Sequence, residues 1–180
     1  MLLFAVTGIT LNHAADIEAS PRVVDATAAL PDDLRRDLGR LAAQTPRGAP
    51  LPASLRAWLS TTMGLSVADR PAEWSEDEIY LALPRPGGDA WLAVDLESGE
   101  VLHEVTDRGW IAYLNDLHKG RNTGPAWGWF IDAFAAACLV FCITGLVLLQ
   151  LHARGRPSTW PLVGLGLVAP LLLVLLFIHA

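Results

Sequence analysis

Two long apolar runs in the last third of the chain constrain its fold most strongly. The first, WGWFIDAFAAACLVFCITGLVLLQLH, begins at Trp127, and the second begins at Trp160. A helix needs about 20 consecutive apolar residues to cross the hydrocarbon core of a bilayer. We therefore predict transmembrane helices over residues 127–152 and 160–180, each with a tryptophan at one membrane interface, where indole rings are enriched.

The short connection between these runs, residues 153–159, carries Arg154 and Arg156. Basic residues beside membrane helices are enriched on the cytoplasmic side, so this connection is predicted to be a cytoplasmic loop. On that basis the protein is a multi-pass protein of a bacterial inner membrane. Residues 14–126 then form a periplasmic, and therefore extracytoplasmic, domain.

A further apolar segment, MLLFAVTGITLNH, occupies residues 1–13. It is shorter than a full membrane span. We predict that it is the outer part of a first transmembrane helix, apparently truncated; the alternative is a short helix that thins the bilayer. With this segment the chain has about three transmembrane helices, and the lipid bilayer is its first partner.

The apolar spacing changes twice between these segments. LPDDLRRDLGRLAA and SLRAWLSTTMG have helical spacing, and the first places Leu34, Leu38 and Leu41 on one face. EIYLAL, AWLAVDL and EVLHEV alternate with a period of two, and the short turns between them favour antiparallel strands. DRGWIAYLNDLHKG returns to helical spacing and is predicted to lie on the membrane surface. The predicted fold class is α+β, with helices packed on an antiparallel sheet.

The composition excludes several classes of function. A formal net charge of −6 argues against a nucleic-acid partner. The sequence has no nucleophile elbow, phosphate loop, CxxC motif or dinucleotide fingerprint, so a flavin or nicotinamide site is not expected. Cys138 and Cys142 lie four residues apart in an apolar run, where we predict small packing residues and no disulfide. The acidic stretch from Glu73 to Glu78 is interpreted as a solvated loop.

Several motifs, taken in order, resemble the PepSY domain with its PepSY-associated transmembrane helices. They are LFAVTGITLNH, the hairpin WLAVDLESGEVL, LHKGRNTG and LVFCITGLVLL. The resemblance implies a PepSY-like domain over residues 14–126. Some members of this family resemble inner-membrane ferrisiderophore reductases that carry b-type haem between helices. Other PepSY domains are similar to protease propeptides and are thought to inhibit peptidases.

The predicted topology places His13, His118 and His179 at the outer membrane face. A haem with two histidine ligands needs imidazoles from two fixed elements. We therefore predict His13 and His118 as iron ligands of haem b, with His179 able to replace either. Asn12 and Asp116 are candidates to hydrogen-bond the ligands. Arg108, Lys119 and Arg121 are candidates to bind haem propionates or an anionic ferric chelate.

Simpler interpretations of these histidines stay open. Histidine is common at membrane interfaces, and His118 near a helix C-terminus interacts favourably with the helix dipole. His103 alternates with Val101 and Val105, which favours a partly buried structural residue. His152 has no visible partner at the predicted inner face, so a surface role is favoured.

Three functions follow from these features. The first is a haem-dependent reductase or electron-transfer subunit that passes electrons to a periplasmic acceptor such as a ferric chelate. The second is a membrane-tethered PepSY binding module that regulates a peptidase or docks on a transport partner. The third is a small subunit of a larger membrane complex, for which the small residues of GLGLVAP would suit close helix packing.

Overall fold

The structure is a computed structural model that describes residues 2–17, 20–152 and 155–178. The chain divides into two compact units, residues 1–129 and residues 130–180. The predictions made for Arg154 and His179 fall outside the described residues.

The first unit contains four helices, five strands and the start of a fifth helix. In chain order the elements are α1 (Leu2–Asn12), β1 (Arg22–Ala29), α2 (Asp32–Ala42), α3 (Ala53–Thr62), β2 (Glu73–Trp74), β3 (Glu78–Ala82), β4 (Gly88–Asp95), β5 (Glu100–Asp107), α4 (Trp110–Lys119) and α5 (Pro125–His152). The strands form one antiparallel sheet in the order β1-β5-β4-β3-β2. The predicted α+β class with an antiparallel sheet is confirmed.

Strands β3, β4 and β5 form the predicted meander, whereas β1 and β2 were not predicted. The β3–β4 turn explains part of the PRPGGD sequence. A side chain at Gly88 would place its Cβ 2.0 Å from the carbonyl oxygen of Thr106, so only glycine fits there. The acidic stretch that the sequence suggested as a loop instead contributes to the β2–β3 hairpin, where Trp74 is buried and pairs with Ile79.

The core lies between one face of the sheet and helices α2 and α3. Its fully buried side chains are Leu38, Leu55, Leu59, Ile79, Leu81, Leu92, Val94 and Val101. The predicted apolar face of α2 is only partly correct. Leu34 and Leu38 pack as expected, but Ala42 is buried in place of Leu41, which is 43% exposed. The buried face of α2 therefore repeats every four residues, and Leu41 lies to one side of it.

The second unit contains the rest of α5, α6 (Thr159–Leu173) and a π-helical segment (Val174–Ile178). Within the described residues, no residue of α5 or α6 is buried. Two helices, Pro125–His152 and Thr159–Ile178, are long and apolar enough to cross a membrane. Helix α1 is apolar but has only 11 residues.

Candidate functional site

Helices α1 and α4 of the first unit meet through two polar pairs. The Thr7 hydroxyl lies 2.7 Å from Nδ1 of His118, and the Thr10 hydroxyl lies 2.9 Å from Oδ1 of Asn115. Thr10 follows Thr7 by three residues on α1, whereas its partner Asn115 precedes His118 by three residues on α4. The two helices are therefore antiparallel at this contact. Thr7 and Asn115 are both buried. We call this set of four residues the α1–α4 contact.

The hydrogen bonds of Thr7 favour one tautomer of His118. The Thr7 hydroxyl lies 2.9 Å from the carbonyl oxygen of Leu3 and 3.2 Å from that of Phe4. A threonine within a helix commonly donates its single hydroxyl hydrogen to these carbonyls. The hydroxyl oxygen then accepts a hydrogen bond from Nδ1–H of His118. In the neutral ring this leaves a lone pair on Nε2, which has no hydrogen-bond partner in the described part of the chain.

Apolar and aromatic groups surround the histidine. The Phe4 ring centroid lies 5.2 Å from that of His118. Indole Nε1–H of Trp127 donates to the carbonyl oxygen of Leu117 at 2.8 Å, which ties the first turn of α5 to α4. The adjacent cavity has a volume of about 20 Å³ and is lined by Leu3, Phe4, Thr7, Leu114, Leu117, His118 and Trp127. It has room for about one water molecule.

His13 lies apart from this contact. It follows the end of α1 in a turn, and its Nδ1 lies 3.1 Å from Oδ2 of Asp16, with both side chains exposed. His13 is six positions after Thr7, which corresponds to roughly 9 Å along a helix axis. The structure therefore places Thr7 and Phe4, and not His13, against the ring of His118.

The structure does not bring His13 and His118 together around one cavity. The cavity beside His118 is about 20 Å³, and His13 is not among its lining residues. Ligation of iron by His118 stays a prediction, as does any role of His179, which lies outside the described residues.

Two of the predicted supporting residues, Asp116 and Arg108, have other partners. Asp116 accepts a hydrogen bond from the backbone N–H of Gly87 at 2.8 Å and so ties α4 to the β3–β4 turn. Arg108 forms an ion pair with Asp89. Arg108 also lines a second cavity, of about 430 Å³, at the start of α4 beside Trp110. Asn12 and Lys119 are exposed.

The other two histidines have structural surroundings. His103 lies on β5 opposite Leu92 of β4 and Ala26 of β1, and it is half-buried. Burial lowers the pKa of His103 below its ordinary value of about 6.5, because a buried ring is harder to protonate. His152 lies in the last turn of α5, where its Nδ1 is 2.9 Å from the carbonyl oxygen of Leu148. In the described ranges, no group of three or more His, Cys, Asp or Glu side chains is placed to hold a metal ion.

Sequence reasoning identified His118 but missed its partners. The available signal was the spacing of Thr7 and Thr10 in an otherwise apolar helix, matched by Asn115 and His118 three residues apart on α4. Polar residues at i and i+3 share a helix face, so each pair marks one side of its helix. Which two faces meet depends on the packing of α1 against α4.

These features define a class of protein: an α+β domain joined to apolar helices of membrane-spanning length. The comparison with protein families then gives the particular family. The chain belongs to the PepSY_TM-like family, whose model matches residues 1–179. This confirms the resemblance drawn from the motifs. No curated protein and no solved structure matches the chain.

Replacing Thr7 with valine tests the α1–α4 contact. Thr7→Val keeps the side-chain shape but leaves Nδ1–H of His118 without its acceptor, a loss of about 1–3 kcal/mol. We expect faster hydrogen–deuterium exchange in α1 and α4 of the detergent-solubilised protein. Thr144→Val is the matched control, because the partners of Thr144 among the described residues are the carbonyls of Val140 and Phe141 in its own helix. Equal exchange in both variants would contradict the assignment.

Proposed function

We propose that this protein is a membrane-anchored PepSY-type binding module. Its sheet domain binds a protein partner, and its apolar helices hold the domain at the membrane. The observation that carries this proposal is the difference between the two faces of the sheet. One face is covered by α2 and α3, whereas the other presents aromatic side chains that are only half-buried.

The second face is built around Trp91. Its ring lies 6.0 Å from that of Tyr80, and its Nε1–H donates to Oε1 of Glu104 at 3.1 Å. Leu102 and Ala93, opposite each other on β5 and β4, belong to the same face. We call these five residues the open sheet face. Tryptophan and tyrosine are enriched in protein interfaces because they bury large areas and keep a polar group for hydrogen bonding.

We propose that the partner is either a peptidase that the domain regulates or another subunit of a membrane complex. The family assignment supports a PepSY-type protein at a membrane. The two apolar helices supply the attachment, since each has the length and hydropathy of a membrane span. A domain held at a membrane in this way meets partners in the same membrane at high effective concentration.

Site-specific photo-cross-linking tests the binding face. With benzoylphenylalanine in place of Leu102, on the open sheet face, we expect one discrete cross-linked partner in native membranes. Trp91→Ala should reduce its yield by about tenfold or more, because tryptophan is a common interface hot spot. The control position is Arg36, which is exposed on α2. The same products from both positions, or none from Leu102, would contradict the proposal.

We further propose that the sheet domain is extracytoplasmic and that the connection containing Arg156 is cytoplasmic. The support is the position of Arg156 between two apolar helices, which the positive-inside rule assigns to the cytoplasm. Ser98, in the exposed β4–β5 turn, is the reporter position. In intact spheroplasts, a membrane-impermeant maleimide should label Ser98→Cys and leave Arg156→Cys unlabelled until the cells are lysed. The opposite labelling pattern would reverse the orientation.

Haem-dependent electron transfer to a periplasmic acceptor is the second candidate. It is favoured by His118, whose Nδ1–H is held by Thr7 while Nε2 is left with a lone pair. Histidines that bind metals commonly have the other ring nitrogen fixed by a hydrogen bond in this manner. A bound haem would supply the redox chemistry; this chain's contribution would be to present and orient one imidazole. The second ligand, predicted as His13 or His179, is not assigned by the geometry.

A reduced-minus-oxidised absorption spectrum tests this candidate. Protein purified after haem-supplemented expression should show b-type bands, and His118→Ala should remove or shift them because an axial ligand is lost. His152→Ala is the control, since His152 bonds within its own helix. Colourless wild-type protein, or bands unchanged in His118→Ala, would exclude His118 as a ligand.

A further inference from the structure

Strand β1 forms one edge of the sheet, and its register shows which backbone groups face outward. The N–H of Leu30 donates to the carbonyl of Gly99 at 2.8 Å, in line with the pairing of β1 and β5. Residues of an antiparallel strand point their N–H and C=O groups alternately to one neighbour and to the other. The even-numbered residues of β1 therefore bond to β5. The outward groups belong to Val23, Asp25, Thr27 and Ala29.

This edge lacks most of the features that protect edge strands. Natural edges are commonly short, bulged, interrupted by proline, or protected by charged side chains, lysine above all. Strand β1 has eight paired residues, with no proline or lysine among them; its charged residues are Arg22, at its first position, and Asp25. Val23 and Val24 are 54% and 64% exposed. The opposite edge, β2, is only two residues long. Strand β1 is thus the edge able to pair with another strand.

The middle of this edge carries an excess of negative charge. Asp25 lies directly opposite Glu104 in the pairing of β1 with β5. Like charges at opposed positions destabilise a sheet. Glu104 accepts hydrogen bonds from Trp91 and from Thr106, yet neither carboxylate forms an ion pair with any described residue. A cation beside β1 would relieve this repulsion.

We propose that β1 binds an extended segment of a protein partner that carries a lysine or arginine, as a sixth strand of the sheet. This inference rests on the proposed function as a binding module and specifies the partner's chemistry. Outward N–H and C=O groups of β1 supply the main-chain hydrogen bonds. The basic side chain lies on the face of Asp25 and Glu104, where both carboxylates attract it.

The same charges disfavour pairing with a second copy of the chain. Two β1 strands paired through their outward groups would bring both Asp25 side chains within about one residue pair of each other. The Glu104 carboxylates lie one strand further in, on the same face. Four acidic groups would then be concentrated at one junction without a cation.

Two synthetic peptides test the proposal: Thr-Val-Thr-Lys-Thr-Val-Thr and its counterpart with glutamate in place of lysine. Both are capped at each end and fluorescently labelled, and their binding to the full-length protein in detergent is followed by anisotropy. We expect the lysine peptide to bind about tenfold more tightly at low salt. Raising the salt concentration should reduce this preference, because exposed charges are screened.

Variants at Thr27 and Asp25 distinguish the contribution of main-chain hydrogen bonds to peptide binding from the contribution of charge. Thr27→Pro removes an outward N–H without removing a bond to β5, so it should abolish binding, whereas Thr27→Val should keep it. Asp25→Lys leaves the backbone intact and should remove the preference for the lysine peptide, because the new lysine lies opposite Glu104 and offsets its charge. That variant decides the question even if Thr27→Pro does not fold.

Equal binding of both peptides by the wild-type protein, or an unchanged preference in Asp25→Lys, would overturn the proposal. Light scattering on the same samples measures the oligomeric state and so tests whether a second copy of the chain pairs with β1. A dimer that dissociates in Thr27→Pro would assign the edge to a second copy instead. If the peptides fail while cross-linking from Leu102 persists, the partner uses the open sheet face alone, and the binding-module proposal stands without this edge.

Discussion

Burial of one face of the sheet under α2 and α3 is the constraint on which the first unit depends. Leu38, Leu55 and Leu59 are inaccessible to solvent and pack with the central strands. This packing fixes the register of β4 and β5, because a shift by one residue would turn every buried side chain to the opposite face. Both surfaces proposed for binding, the open sheet face and the edge of β1, are what this one-sided core leaves uncovered.

The alignment of α1 with α4 depends on polar pairing and not on burial of an apolar face. Thr7 and His118 meet among apolar and aromatic groups, where an unpaired polar atom is costly. Each polar group therefore needs a partner on the facing helix, and this requirement fixes how the two helices align. His118 thus has a structural role that holds whether or not its Nε2 binds a ligand. Membrane depth alone groups His118 with His13, but depth does not determine which faces of the helices meet.

Local periodicity predicted α2, α3, α4 and the β3–β4–β5 meander, because the apolar residues of each recur with the spacing of a helix or of a strand. Strand β1 was missed since nearly all of its residues are exposed, so RVVDATAA has no alternation of buried and exposed positions to detect. Its strand conformation comes from pairing with β5. Strand β2 is too short to produce a pattern. The partners of His118 and the position of Leu41 depend on how helices pack against their neighbours, which spacing within one helix does not specify.

The turn between β3 and β4 has a mechanical consequence. Asp116 accepts a hydrogen bond from Gly87, and a side chain on Gly87 would lie within 3 Å of the backbone of Tyr113. Helix α4 in turn is bonded through Leu117 to Trp127, in the first turn of α5. A load applied to the sheet therefore passes through hydrogen bonds to α4 and on to the first turn of α5, all within the first unit.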